Sequence, residues 1–180
     1  MLKSTFSAVK GEPNSLGLTG VKRAVVVMVD GLGAVNLSDR IAHARNIARL
    51  PRESVSGGFP TTTAAALTSF TTGRDPGEHG LVGYRILEPS TGLLLNQLSG
   101  LEKLTETNWQ LTQTLFESNP GLPSAVVSAS RYRETRLTQF ILRGAEYLEA
   151  NTPEQRLRAV ESFLRANLSG VAYVYIPELD

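Results

Sequence analysis

The chain has 180 residues, 41% hydrophobic and 19% charged, with a net charge of +1, which is length enough for one domain with its own core. Fourteen of the 18 basic residues are arginine but they are scattered, which excludes the concentrated basic face of a nucleic-acid-binding surface; the densest group, Arg131, Arg133, Arg136 and Arg143, is expected to be a solvated face. There is no cysteine, so disulfides and thiolate metal sites are excluded and any metal must be held by oxygen or imidazole.

Residues 1–20 read as an irregular lead-in. Met1 to Lys22 is interrupted by Lys10, Pro13 and several glycines, so it lacks the apolar core of a signal peptide. No segment approaches membrane-spanning length. Cytoplasmic residence, with no membrane and no nucleic acid as partner, is the expectation. Ala24 to Val29 is a continuous apolar run, the pattern of a strand covered on both faces, and it stops at Asp30-Gly31-Leu32-Gly33. A helix is expected from there to about Leu50, closed by Pro51.

Val55 to Pro60 reads as a short strand or loop. Ala64-Ala65-Ala66-Leu67 predicts a helix that begins close to Thr63 and ends at Gly73, followed by a Pro76-Gly77 turn. Leu81 to Leu95, with Pro89 to Gly92 in its middle, predicts extended chain or a loose hairpin. Leu111 to Phe116 suggests a short helix and Ala125-Val126-Val127 a buried strand. Thr152-Pro153-Glu154-Gln155 is a helix-start signal, and the helix it opens is expected to align Leu157, Val160, Leu164 and Leu168 on one stripe. After Gly170, Val171 to Ile176 predicts a third strand, with no helix beyond it to cover or extend the sheet. Strands alternating with helices imply an α/β domain with a largely parallel sheet.

In such sheets functional groups gather at the carboxyl ends of strands. Asp30, the Thr61-Thr62-Thr63 run and Asp180 fall there. A carboxylate beyond an apolar strand must be hydrogen-bonded, paired or bound to a cation, although Val29-Asp30-Gly31 is also how a plain turn leaves a strand. A hydroxyl at a helix N-terminus sits among unpaired N–H groups at the positive end of the dipole, a setting that favours an alkoxide and a phosphoryl group; a threonine there can equally be a simple cap.

Three blocks in order, Val25 to Gly31, Phe59-Pro60-Thr61-Thr62-Thr63 and Thr72 to Gly80, resemble the nucleotide pyrophosphatase/phosphodiesterase family of the alkaline phosphatase superfamily. Tyr173 to Asp180 is similar to a fourth block of that family. The resemblance implies an alkaline-phosphatase-like three-layer αβα fold, of which residues 21–180 are the N-terminal portion, truncated on its C-terminal side. It implies hydrolysis of a phosphate ester, a nucleotide among the candidates, through a phosphothreonine intermediate. Thr63 is the implied nucleophile. Two divalent ions, zinc in the family's usual form, are implied, with Asp30 and Thr63 at one and Asp180 at the other. The family's later ligands lie beyond the equivalent of Asp180, so weak metal binding is expected, and no appreciable turnover by these 180 residues alone. His43 is expected at the surface and His79 in structural hydrogen bonds.

The alternative is a non-catalytic fragment, or half of a split protein that needs a complementing C-terminal segment. A dinucleotide-binding reading fails because Gly31-x-Gly33 leads to Asn36 where a third small residue is required. Tyr84, Trp109 and Tyr132 can either stack a base or pack.

Overall fold

A computed structural model describes residues 1–104 and 109–180. In chain order, α1 (Leu2–Val9) precedes β1 (Arg23–Val29), and α2 (Ala34–Asp39), a 3-10 turn at Ile41–His43 and α3 (Arg45–Ala48) follow. Then come α4 (Thr63–Thr72), α5 (Pro76–His79), and the hairpin of β2 (Arg85–Leu87) and β3 (Leu94–Asn96). After a 3-10 turn at Leu101–Lys103 the chain forms β4 (Ser124–Ser128), α6 (Ser130–Arg133), α7 (Arg136–Ile141), β5 (Glu146–Glu149), α8 (Pro153–Ala166) and β6 (Gly170–Ile176).

β1, β6, β4 and β5 lie in that order in one four-stranded sheet, every pair parallel. Side chains alternate across it. Val126, Val171 and Tyr173 face a cluster with Leu2, Phe6 and Phe116, with Phe70 of α4 packed against it. Ala125, Val127, Ala172 and Val174 face Val160 and Phe163 of α8. A third cluster joins Ala64 of α4 to Leu137, Phe140 and Ile141 of α7 and to Leu81, Leu95 and Leu101. The result is helix, sheet, helix: an α/β domain with a parallel sheet flanked by helices, as the alkaline-phosphatase-like expectation requires. Each large apolar side chain buried this way stabilises the fold by roughly 1.5–3 kcal/mol.

Several expectations need correction. The lead-in is not irregular throughout, because Leu2, Thr5 and Phe6 recur at i, i+3 and i+4 and bury one face of α1. The helix expected to run to Leu50 is three short pieces with no buried residue, as a segment with no apolar stripe to dock would be. Leu111 to Phe116 is not helical: Thr114 instead opens a turn, its hydroxyl donating to Arg143 O and accepting from Glu117 N.

The α8 stripe runs through Arg156, Val160 and Phe163, while Leu157 and Leu168 are exposed. Leu157 stands one position round from that face, about 100° away on a 3.6-residue helix. β5 escaped notice because Glu146-Tyr147-Leu148-Glu149 carries charges at both ends, which an edge strand tolerates. β6 does not wait for something to extend the sheet; it is an inner strand between β1 and β4. The edges are β5 and β1, and β1 is not covered on both faces. Val26 and Met28 pack inward, whereas Val25 and Val27 are 41% and 53% exposed.

The arginine group is not uniformly a solvated face either. Arg143 bonds Glu117 and donates to the carbonyls of Gln110, Thr112 and Phe140. His79 holds the structural role expected of it, bonded to Ser69 Oγ and accepting from Leu81 N.

Candidate functional site

The strand β1 ends at Val29, and one further ladder bond, from Asp30 N to Ile176 O at 2.9 Å, carries the pairing with β6 to the sheet's carboxyl rim. Asp30 is therefore level with the start of the Pro177–Asp180 turn. Its Oδ1 accepts from Gly31 N at 3.0 Å and its Oδ2 from the Tyr175 hydroxyl at 2.5 Å. Burial raises the Tyr175 phenol above its ordinary pKa, and the bond to the Asp30 carboxylate raises it further, so the phenol stays the donor.

Gly31 takes φ +72° with its Cα packed on the far turn. A Cβ there would strike the Leu179 carbonyl and come within 2.8 Å of Asp180 Cα. Only glycine fits, and the close approach brings the chain after β6 against the chain after β1. The 177–180 turn is closed by Asp180 N donating to Pro177 O at 3.2 Å.

Thr63 is the first residue of α4, after Thr62 in extended conformation. Thr62 is the N-cap by position, but its side chain makes no cap hydrogen bond and its Oγ1 is buried without a partner. Ala66 N donates to Thr62 O, the first bond of the helix, so the earlier N–H groups are free at its end.

Thr63, Asp180 and Tyr175 line one cavity of about 310 Å³. It runs between the sheet and α4, α6 and α7, walled by Leu67, Leu137 and Ile141 and by the rings of Tyr132, Tyr147 and Tyr173. Ser128 lies on it, 2% exposed, with its Oγ unpaired. Arg131, whose guanidinium lies 4.8 Å over the Tyr132 ring, is also a lining residue. Thr63 and Asp180 thus share a cavity, and Asp30 reaches it through Tyr175. Of the three aromatics with two readings, Tyr132 lines the cavity, Trp109 packs against the leucine cluster, and Tyr84 is half exposed away from it.

Sequence reasoning missed Tyr175 and Ser128. Strand parity could have found Tyr175, which shares a face with Tyr173 and lies one residue short of the rim.

Among the described residues no three His, Cys, Asp or Glu side chains come together to hold a metal. The donors on offer are two carboxylates and a hydroxyl, all hard oxygens. Oxygens of this kind suit magnesium or manganese better than zinc. They do not by themselves close two zinc sites. No helix among the described residues is long and apolar enough to cross a membrane.

This is an α/β domain with polar groups gathered at the carboxyl rim of a parallel sheet. A family model described as Type I phosphodiesterase / nucleotide pyrophosphatase matches residues 24–162, and the chain belongs to that family. The family is one of hydrolases that are generally metal-dependent. The match includes Asp30 and Thr63 and stops short of Asp180. No curated protein matches the chain.

Proposed function

We propose that the site hydrolyses a phosphodiester or pyrophosphate by transferring its phosphoryl group to Thr63. The observation that carries the reading is the shared cavity: Thr63 and Asp180 line it, and Tyr175 on its wall bonds Asp30. The Thr63 oxygen attacks phosphorus and forms an O–P bond while the ester or anhydride O–P bond breaks. The hydroxyl proton passes through solvent to the departing oxygen. Water then attacks this threonyl phosphoester, releasing a phosphate monoester that keeps the remaining substituent and restoring the hydroxyl. The free N–H groups at the start of α4 face the negative charge that develops on the phosphoryl oxygens.

The family's metal would be held by Asp30 and Thr63, with Asp180 for a second ion and further donors needed for a two-zinc centre. When bound, such ions lower the hydroxyl's pKa and neutralise phosphoryl charge. The cavity takes the organic substituent of the ester. Its tyrosine and leucine walls suit a planar or apolar group, a nucleoside among the candidates, and Ser128 Oγ offers that group one hydrogen bond.

The test is covalent labelling. An activated aryl phosphodiester supplied with manganese should add the mass of its phosphoryl group, with the remaining ester substituent, to the peptide containing Thr63. An unlabelled peptide in the unaltered chain, or label that persists in Thr63→Ala, ends the proposal.

A second reading is that the chain acts with a complementing segment that supplies further donors. The open Val25 and Val27 face and the short donor set favour it. On that reading steady turnover by the 180 residues alone is absent. A monodisperse monomer with a sharp cooperative melt, turning over the diester unaided, would overturn it.

A further inference from the structure

We infer that Arg156, on the opposite side of the sheet from the cavity, is a positioning residue that fixes Asp180 for cation binding. The inference rests on the phosphoryl-transfer reading, which makes Asp180 a ligand.

Arg156 is the fourth residue of α8 and is 2% exposed. A guanidinium that deep must have its charge and donors met. Its Nε donates to Ala150 O at 3.2 Å, at the end of β5. The two terminal nitrogens make a fork with one carboxylate: one donates to Glu178 Oε2 at 2.9 Å, and the other lies 2.7 Å from Glu178 Oε1. The paired geometry fixes the acceptor's orientation as well as its distance.

Glu178 belongs to the turn that ends in Asp180, and its own side chain is 42% exposed. The burial is therefore all on the arginine side. A surface pair of this kind would have little consequence, but here the cation is anchored in the core and its partner is the part-exposed carboxylate of the turn. The turn is held at three points: by Arg156 through Glu178, by Gly31 packed against Leu179 and Asp180, and by the Asp180 N to Pro177 O bond. With the fork removed, the two remaining restraints hold backbone only, and the turn can pivot away from Asp30. Groups that orient ligands without touching the metal commonly change affinity about 10–100-fold when lost.

The experiment uses terbium, a hard oxygen-seeking ion whose luminescence is excited by a nearby tyrosine; Tyr175, bonded to Asp30, is placed to do this. The unaltered chain should bind terbium with a signal reduced in Asp30→Asn and in Asp180→Asn and lost when both are changed. Arg156→Met should weaken binding about tenfold or more, with Arg156→Lys in between, since lysine restores the charge without the fork. Methionine fills much of the same space and leaves Glu178 in solvent, so the variant is expected to fold. Glu178→Gln provides an independent break of the same pair and should weaken binding in the same direction. A purely structural role would lower the melting temperature and leave terbium affinity alone; that result, in either variant, overturns the positioning role while the site reading stands. A terbium signal in the unaltered chain that is absent, or indifferent to Asp30→Asn and Asp180→Asn, removes the site reading and the inference with it.

Discussion

The Tyr175 hydroxyl and the Asp30 carboxylate are joined at 2.5 Å across the carboxyl rim of the sheet, a contact between strands neighbouring in space and remote in sequence. The bond holds one of the two Asp30 oxygens in place and ties β1 to β6 beyond their ladder. Removing the phenol oxygen in Tyr175→Phe should lower stability by about 1–2 kcal/mol, the lower part of the range for a bond to a charged group because Asp30 is partly exposed. Urea unfolding of the two proteins measures it, and a change under a few tenths of a kcal/mol would show the contact to be energetically idle.

Two helix starts should respond oppositely to the same substitution. Thr152 caps α8 through a reciprocal pair of bonds with Gln155, so Thr152→Val should cost about 1 kcal/mol. Thr62 stands at the same position of α4 with a buried oxygen that bonds to nothing. Thr62→Val should leave the melting temperature unchanged or raise it, since a buried unpaired hydroxyl is replaced by a methyl. Equal losses at both sites would contradict this account.

His79 should make the fold sensitive to mild acid. Its Nδ1 accepts from Leu81 N, so the neutral ring carries its proton on Nε2 and donates to Ser69 Oγ. Burial lowers its pKa below the usual 6.5. The folded state therefore binds this proton less readily than the unfolded state does. Stability from this group is fully present above about pH 6.5 and falls as pH drops through the lowered folded value. Denaturation midpoints measured from pH 7.5 down to 5 should decline, and His79→Gln should flatten that slope.

A second acid-sensitive point lies in the β2–β3 hairpin. Glu88 accepts from the hydroxyls of Ser90 and Thr91 and from both their N–H groups, and the hydroxyl bonds foremost push its pKa down to about 2. Its contribution is present above the unfolded value of about 4.5 and is lost as pH falls towards 2. Amide exchange of the hairpin should accelerate over that window, and Glu88→Gln should remove the pH dependence.

The strands with uninterrupted apolar sequence, β1, β4 and β6, were legible because burial leaves a compositional trace. So were α4, through its alanines and Gly73 in left-handed conformation, and α8, through its cap. α1 was missed because one turn of apolar contacts is hard to tell from loop, and β5 because an edge strand need not be apolar. Of the candidate site, Asp30, Thr63 and Asp180 stand out in the sequence by their place after strands and by resemblance to family blocks. That Thr63 and Asp180 line one cavity, with Asp30 bonded to its wall through Tyr175, could not be read there, since it depends on β6 entering between β1 and β4. Arg156 was invisible as well: nothing in its local sequence shows that it reaches Glu178.

That strand order also governs when the domain can assemble during synthesis. β1 leaves the ribosome well before β6, and Arg23 must wait for Gly170 to be made before it has a neighbour to pair with. Until then only β4 and β5 of the sheet have their native neighbour available and the β1 valines have no sheet to join. Closure of the sheet depends on partners distant in sequence, the kind of topology that folds slowly and exposes apolar strands in the interval.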